Sequence, residues 1–183
     1  MNSDKSWARH DILSLSDPAR FDLFKLALSK GQAAVAEFLF PYAGVPNSVA
    51  FGFVCSQGSK DLIEKLLPCF VPVPDSCDHL TKVSVRGFSA LVRALIPLSN
   101  PKARCSLPLR YAVVLGLDEI IRILYPVSNP LEALDDMMKN KNIKKEQLKI
   151  LEYLIKTDTS KSHLWDNLQN ISLSKDTAET RKI

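Results

Sequence analysis

A glycine followed ten residues later by a proline occurs four times along this chain: Gly31 and Pro41, Gly58 and Pro68, Gly87 and Pro97, Gly116 and Pro126. The glycines lie 27, 29 and 29 residues apart. One supersecondary unit therefore recurs, and self-similarity at such a period marks a solenoid, in which each unit buries its apolar face against the next. Chains built this way present an extended face to a partner, which points to binding and away from catalysis.

The register around each glycine is helical on both sides. Four, five and eight residues after it stand Val35, Ala36, Leu39; Leu62, Ile63, Leu66; Leu91, Val92, Leu95; and Ile120, Ile121, Leu124. Between them the sixth position is charged each time: Glu37, Glu64, Arg93 and Arg122. This is one buried stripe with one wet edge. Seven and four residues before the glycines stand Phe24 and Ala27, Phe51 and Val54, Leu80 and Val83, Leu109 and Ala112, again on one helical face. The sequence predicts helix, tight turn, helix, stop. Glycine takes the left-handed conformation that ends the first helix, and proline ends the second. A further proline follows in each unit, at Pro46, Pro74, Pro101 and Pro130, and stiffens the connector.

The fourth unit, Pro108 to Leu124, resembles the ankyrin repeat. It has a Pro-Leu opening at Pro108-Leu109, a small residue at Ala112, the inter-helix glycine Gly116, and an acidic-apolar-apolar-basic run at Glu119-Ile120-Ile121-Arg122. The other three units keep the glycine and apolar frame but lose the Pro-Leu opening. An ankyrin unit runs to about 33 residues with a β-hairpin finger. The shorter period here implies a finger reduced to a turn or absent, and Pro97 to Ala103 resembles a proline-punctuated variant found in bacterial and large-virus proteins. The resemblance implies an all-α fold, a helical solenoid of stacked helix-turn-helix repeats, whose concave surface is formed by the first helices and binds another protein.

A fifth pair fits around an insertion. Leu134, Met137 and Met138 supply its first-helix stripe, Ile150, Leu151, Leu154 and Ile155 its second, and a lysine-rich turn from Lys139 to Lys145 joins them. The expected organisation is an N-terminal capping segment over 1–17, a repeat domain over 18–156, and a helical cap and polar tail over 157–183. Trp7, Ile12, Leu13 and Leu15 suit the first cap, with Asp17-Pro18 read as N-cap and first helical residue. Leu164, Trp165, Leu168 and Ile171 suit the last.

Composition narrows the function classes. No stretch approaches the ~20 apolar residues of a membrane span, and Met1 to Ser16 lacks the continuous apolar segment of a secretory signal. The four cysteines, Cys55, Cys69, Cys77 and Cys105, have no close paired spacing, so neither a disulfide framework nor a zinc site is expected. A reduced, cytoplasmic setting follows, which for a secreted effector is the host cytosol. No glycine-rich phosphate loop occurs, and no cofactor is expected. Cys77-Asp78-His79 sets reactive types side by side, but adjacent helical residues do not face one another, so no catalytic residues are assigned and the chain is read as no enzyme.

Two binding surfaces remain. The first-helix positions off the core stripe, five and one before each glycine, are Leu26 and Lys30, Phe53 and Gln57, Lys82 and Arg86, Tyr111 and Leu115. Phe53, Gln57, Lys82, Arg86, Tyr111 and Leu115 are the expected partner-binding row, because aromatic and arginine anchors carry binding energy at protein interfaces. Packing of Phe53 and Tyr111 on neighbouring units is the equal alternative. Such a row suits a bacterial effector acting on a host protein, a scaffold, or an immunity-type inhibitor of a toxin. The formal charge of +4 lies wholly in 139–183, with ten basic and six acidic side chains. Lys139, Lys141, Lys144, Lys145 and Lys149 therefore make an alternative nucleic-acid surface, against the plainer reading of a solvated cap.

Overall fold

Among the described residues, 10–139 and 145–158 of the computed structural model, every regular element is a helix. A helical turn over 10–14 precedes ten α-helices that follow one another in pairs. These are α1 (Asp17–Ser29) with α2 (Ala33–Leu39), α3 (Asn47–Gln57) with α4 (Lys60–Leu66), and α5 (Asp78–Val85) with α6 (Ser89–Leu95). Then come α7 (Ala103–Val114) with α8 (Asp118–Leu124), and α9 (Pro130–Lys139) with α10 (Lys145–Thr157). The chain divides into two compact units, Met1–Asn100 and Pro101–Ile183.

In the first four pairs the second helix begins two residues after the glycine and runs for 7 residues. The proline does not stop it outright. Each helix tightens into a 3-10 turn with proline in the middle: Phe40–Tyr42, Leu67–Cys69, Ile96–Leu98 and Tyr125–Val127. A ring that removes the amide donor and crowds the preceding turn is tolerated by the shorter-range bonding of a 3-10 helix.

Gly31, Gly87 and Gly116 take φ of +67°, +71° and +66°. Around each, the next amide reaches back five residues, as Gln32 N–H to the Ala27 carbonyl at 2.9 Å and Leu117 N–H to that of Ala112 at 2.9 Å. That is the helix-ending motif that satisfies the last free carbonyls. Gly58 departs from the expectation: its φ is −66°, and Ser59 starts α4 by accepting the Leu62 N–H on its hydroxyl at 3.2 Å. Glycine is required there for space, since a Cβ would sit 2.7 Å from the Val54 carbonyl.

In the first unit α3 packs on both α1 and α5, and α2 packs on α4. In the second, α7 packs on α8, α9 and α10. The core follows the two stripes: Phe24, Phe51, Leu80 and Leu109 are fully buried, as are Ile63, Val92 and Ile121. Among the described residues two stripe positions are exposed. Val35 is 45% exposed in α2, which has α4 as its neighbour on one side and begins the series of second helices. Met138 is 50% exposed because Leu134 and Met137 already fill the buried side of α9. Asp17 is likewise not an N-cap: Ser16 holds that place without a side-chain bond, and the Asp17 carboxylate pairs with Arg20 one turn on.

Within α7 the backbone of Arg104, Cys105 and Ser106 is left-handed, with φ from 52° to 55°. Right-handed helix resumes before Pro108, so the Pro-Leu opening sits near the start of the regular segment. Left-handed residues other than glycine cost about 1–2 kcal/mol each. The buried Ser106 hydroxyl offsets part of this by accepting the Asn129 N–H at 2.8 Å, which ties the turn to the connector ahead of α9.

Candidate functional site: a cleft between the second and third first-helices

The site begins with a glycine inside a helix. Gly52 costs α3 about 1 kcal/mol of helix propensity relative to alanine, and the missing side chain leaves room for the Lys82 ammonium and the His79 ring. Lys82 Nζ donates to the Gly52 carbonyl at 3.0 Å, and a Cβ at 52 would lie 3.0 Å from that nitrogen. Above this floor a cleft of about 330 Å³ opens between the helices. Val49 and Phe53 line it from α3, Val73 and Ser76 from the connector, and Asp78, His79 and Lys82 from α5.

Its walls are fixed by contacts with α3. His79 Nε2 lies 2.8 Å from the Ser48 carbonyl, so the neutral ring carries its proton on Nε2. The ring is 8% exposed and meets Phe70 edge-on at 4.8 Å between centroids. One turn beyond Lys82, Arg86 Nη1 donates to the Cys55 carbonyl at 3.2 Å, and its guanidinium lies 4.6 Å over the Phe88 ring. Cys55 is among the last four residues of α3, whose carbonyls lack a helical partner. Phe53 is half-buried, packed edge-on against Phe21 of α1 at 5.1 Å.

Burial holds His79 below its ordinary pKa of 6.5; the Ser48 bond and Asp78 oppose this, while Lys82 adds to it. The unfolded chain thus takes up this proton near pH 6.5 while the folded chain resists it. Stability is full above that pH and falls as pH drops through the window below it. We expect the urea midpoint to decline from pH 7.5 to 5.5, and His79→Gln to flatten that decline.

The expected row is thus engaged unevenly. Phe53 and Lys82 line the cleft and Arg86 flanks it, whereas Gln57 is exposed at the end of α3. In the second unit Tyr111 and Leu115 are 45% and 48% exposed on α7, one turn apart. Sequence reasoning missed Gly52 and set His79 aside. The available signal was a glycine within an apolar helical run, which often marks a close backbone approach.

Several further ionisable groups are held in structural contacts. Asp135 pairs with Lys139 at 2.5 Å and Asp136 with Arg110 at 2.8 Å. Burial pushes the Cys55 thiol up to about 12, outweighing Lys82 and Arg86, and a hydrogen bond with Glu132 raises that of Cys105. Neither is a ready thiolate. Cys77 is buried at the start of α5. Among the described residues no three His, Cys, Asp or Glu side chains form a metal-binding group. None of the helices there is long and apolar enough to cross a membrane.

Of the alternative lysine surface, Lys139 and Lys149 are exposed and Lys145 opens α10. Hydrogen bonding to Asp135 and its charge raise the pKa of Lys139. Lys141 and Lys144 lie outside the described residues, as do Trp7, Trp165 and the other C-terminal cap positions.

No protein-family model, curated protein or solved structure matches the chain.

Proposed function

We propose that the chain is a non-catalytic interaction module, a short-period helical solenoid of ankyrin-like repeats that holds a partner protein on its first helices. One observation carries the reading. The first helices bury one side completely, at Phe24, Phe51, Leu80 and Leu109, while Leu26, Tyr111 and Leu115 at the row positions stay 45–52% exposed. Large apolar and aromatic side chains held outward on packed helices lose little ordering entropy on association. The ankyrin-like reading is further supported by the left-handed glycines at the inter-helix turn and by the residues of the fourth pair.

Site-specific photo-crosslinking in the native cell tests this. A benzophenone side chain placed at Gln57 or Leu115 is expected to trap a polypeptide. The same group at Glu64 or Arg93, exposed on second helices, is expected to trap none. With the probe at Leu115, Tyr111→Ala should cut the adduct about tenfold at an unchanged melting temperature. Equal adducts from all four positions would overturn the assignment of the face. The mass of the adduct separates a host protein, met by an effector, from a toxin, met by an inhibitor.

A further inference from the structure

We propose that the cleft between α3 and α5 takes an acidic, apolar-anchored segment of the partner. An apolar side chain enters over Val49, Phe53 and Val73, and a carboxylate within two residues of it pairs with Lys82 and Arg86. The inference rests on the protein-binding reading and names the chemistry of its ligand.

Charge and preorganisation carry the argument. Lys82 and Arg86 stand four residues apart on α5 and so share one face. Each is already positioned by a hydrogen bond to a carbonyl of α3, at 3.0 Å for Lys82 and 3.2 Å for Arg86. Arg86 is also steadied by the Phe88 ring. Each of those bonds uses one donor of an ammonium that has three and of a guanidinium that has five. No carboxylate forms an ion pair with either side chain among the described residues. Two half-buried cations fixed in this way are prepared for a carboxylate, since the entropy of ordering long side chains is already spent.

The other end of the cleft has the opposite sign. Asp78 lines it one turn before Lys82, next to the Ser76 hydroxyl, which accepts the Asp78 N–H at 3.1 Å. The site is therefore polar along its length, with its anion-accepting end toward Arg86. A polyanion that runs through the whole cleft would meet Asp78, which favours a peptide bearing one localised carboxylate over a nucleic-acid backbone. Between the two ends, Val49 at 43% exposure and half-buried Phe53 and Val73 supply the apolar contact.

The test pans a random heptapeptide phage library on the full chain and measures the enriched peptides by fluorescence anisotropy. Enriched sequences are expected to place Asp or Glu within two positions of Phe, Leu or Trp. Changing that acid to its amide should weaken binding about tenfold, a readout that needs no change in the protein. Lys82→Gln and Arg86→Gln should each weaken the acidic peptide to a similar extent and leave the amide peptide unaffected. Gly52→Ala, which raises the floor of the cleft, should weaken both peptides at an unchanged or higher melting temperature. Peptides that bind without an acid, or that are indifferent to the amide change, would overturn the inference and leave the protein-binding reading standing. Failure to enrich any peptide, with a 20-nucleotide single strand bound in a steeply salt-dependent way, would overturn both.

Discussion

Phe51→Ala is expected to lower stability by about 3–5 kcal/mol, the range for removing a buried aromatic side chain. Phe51 is fully buried, its ring 4.7 Å from that of Phe70 and 5.7 Å from that of His79. Phe70 stands at the start of a connector that has no helix until Asp78. The connector is held by the stack of Phe70 on Phe51 and by the Asn100 N–H donating to the Ser76 carbonyl at 3.0 Å. Truncation leaves a cavity beneath both Phe70 and His79, and the loss should reach Val73 and Ser76, which line the cleft. Phe53→Ala, two residues on and half-buried, should cost about 1 kcal/mol, within the usual range for single substitutions. Urea denaturation of the two variants checks the difference, and amide exchange should show protection lost over 70–77 in the first alone. Equal losses would mean that Phe51 is not the core of this region.

Much of that arrangement is legible in the sequence. The period of the glycines fixes where each second helix starts and its length, because only glycine readily takes the left-handed turn at Gly31, Gly87 and Gly116. The apolar stripes identify the core because a helix buries one face. Gly58 defeats the rule by using the same residue for a different reason, closeness to the Val54 carbonyl, which depends on the fold around it. Val35 and Met138 satisfy the pattern but sit on the first of the second helices and on a helix whose buried side Leu134 and Met137 already fill. The left-handed turn at Arg104 to Ser106 has no local signal at all, since none of the three residues is glycine or asparagine. The candidate cleft was half legible. Phe53 and Lys82 follow from the helical register, but their meeting depends on Gly52, a position at which the other first helices carry Lys25, Thr81 and Arg110. Register arguments look for side chains that recur, and this site is made by one that is absent.

Gly44→Ala should be the most damaging of the glycine substitutions, at about 3 kcal/mol or more. Two independent penalties meet there. Its φ is +70°, which costs an alanine about 1–2 kcal/mol. A Cβ would also lie 2.6 Å from the Asp17 carbonyl oxygen and 2.7 Å from its Cα, which is backbone at the start of α1 and cannot swing aside. At Gly31, Gly87 and Gly116 the conformational penalty stands alone, for nothing lies within 4 Å of a Cβ there. Alanine at those three positions should cost about 1–2 kcal/mol. Asparagine separates the two effects, because it tolerates the left-handed region but still carries a Cβ. Gly31→Asn should therefore be close to neutral, whereas Gly44→Asn should remain severe, and thermal melting of the two variants measures the gap. Such a gap would mean that the approach of this connector to the first turn of α1 helps set where α3, and the cleft it floors, begins. Asparagine tolerated equally at both positions would show that backbone conformation alone accounts for Gly44.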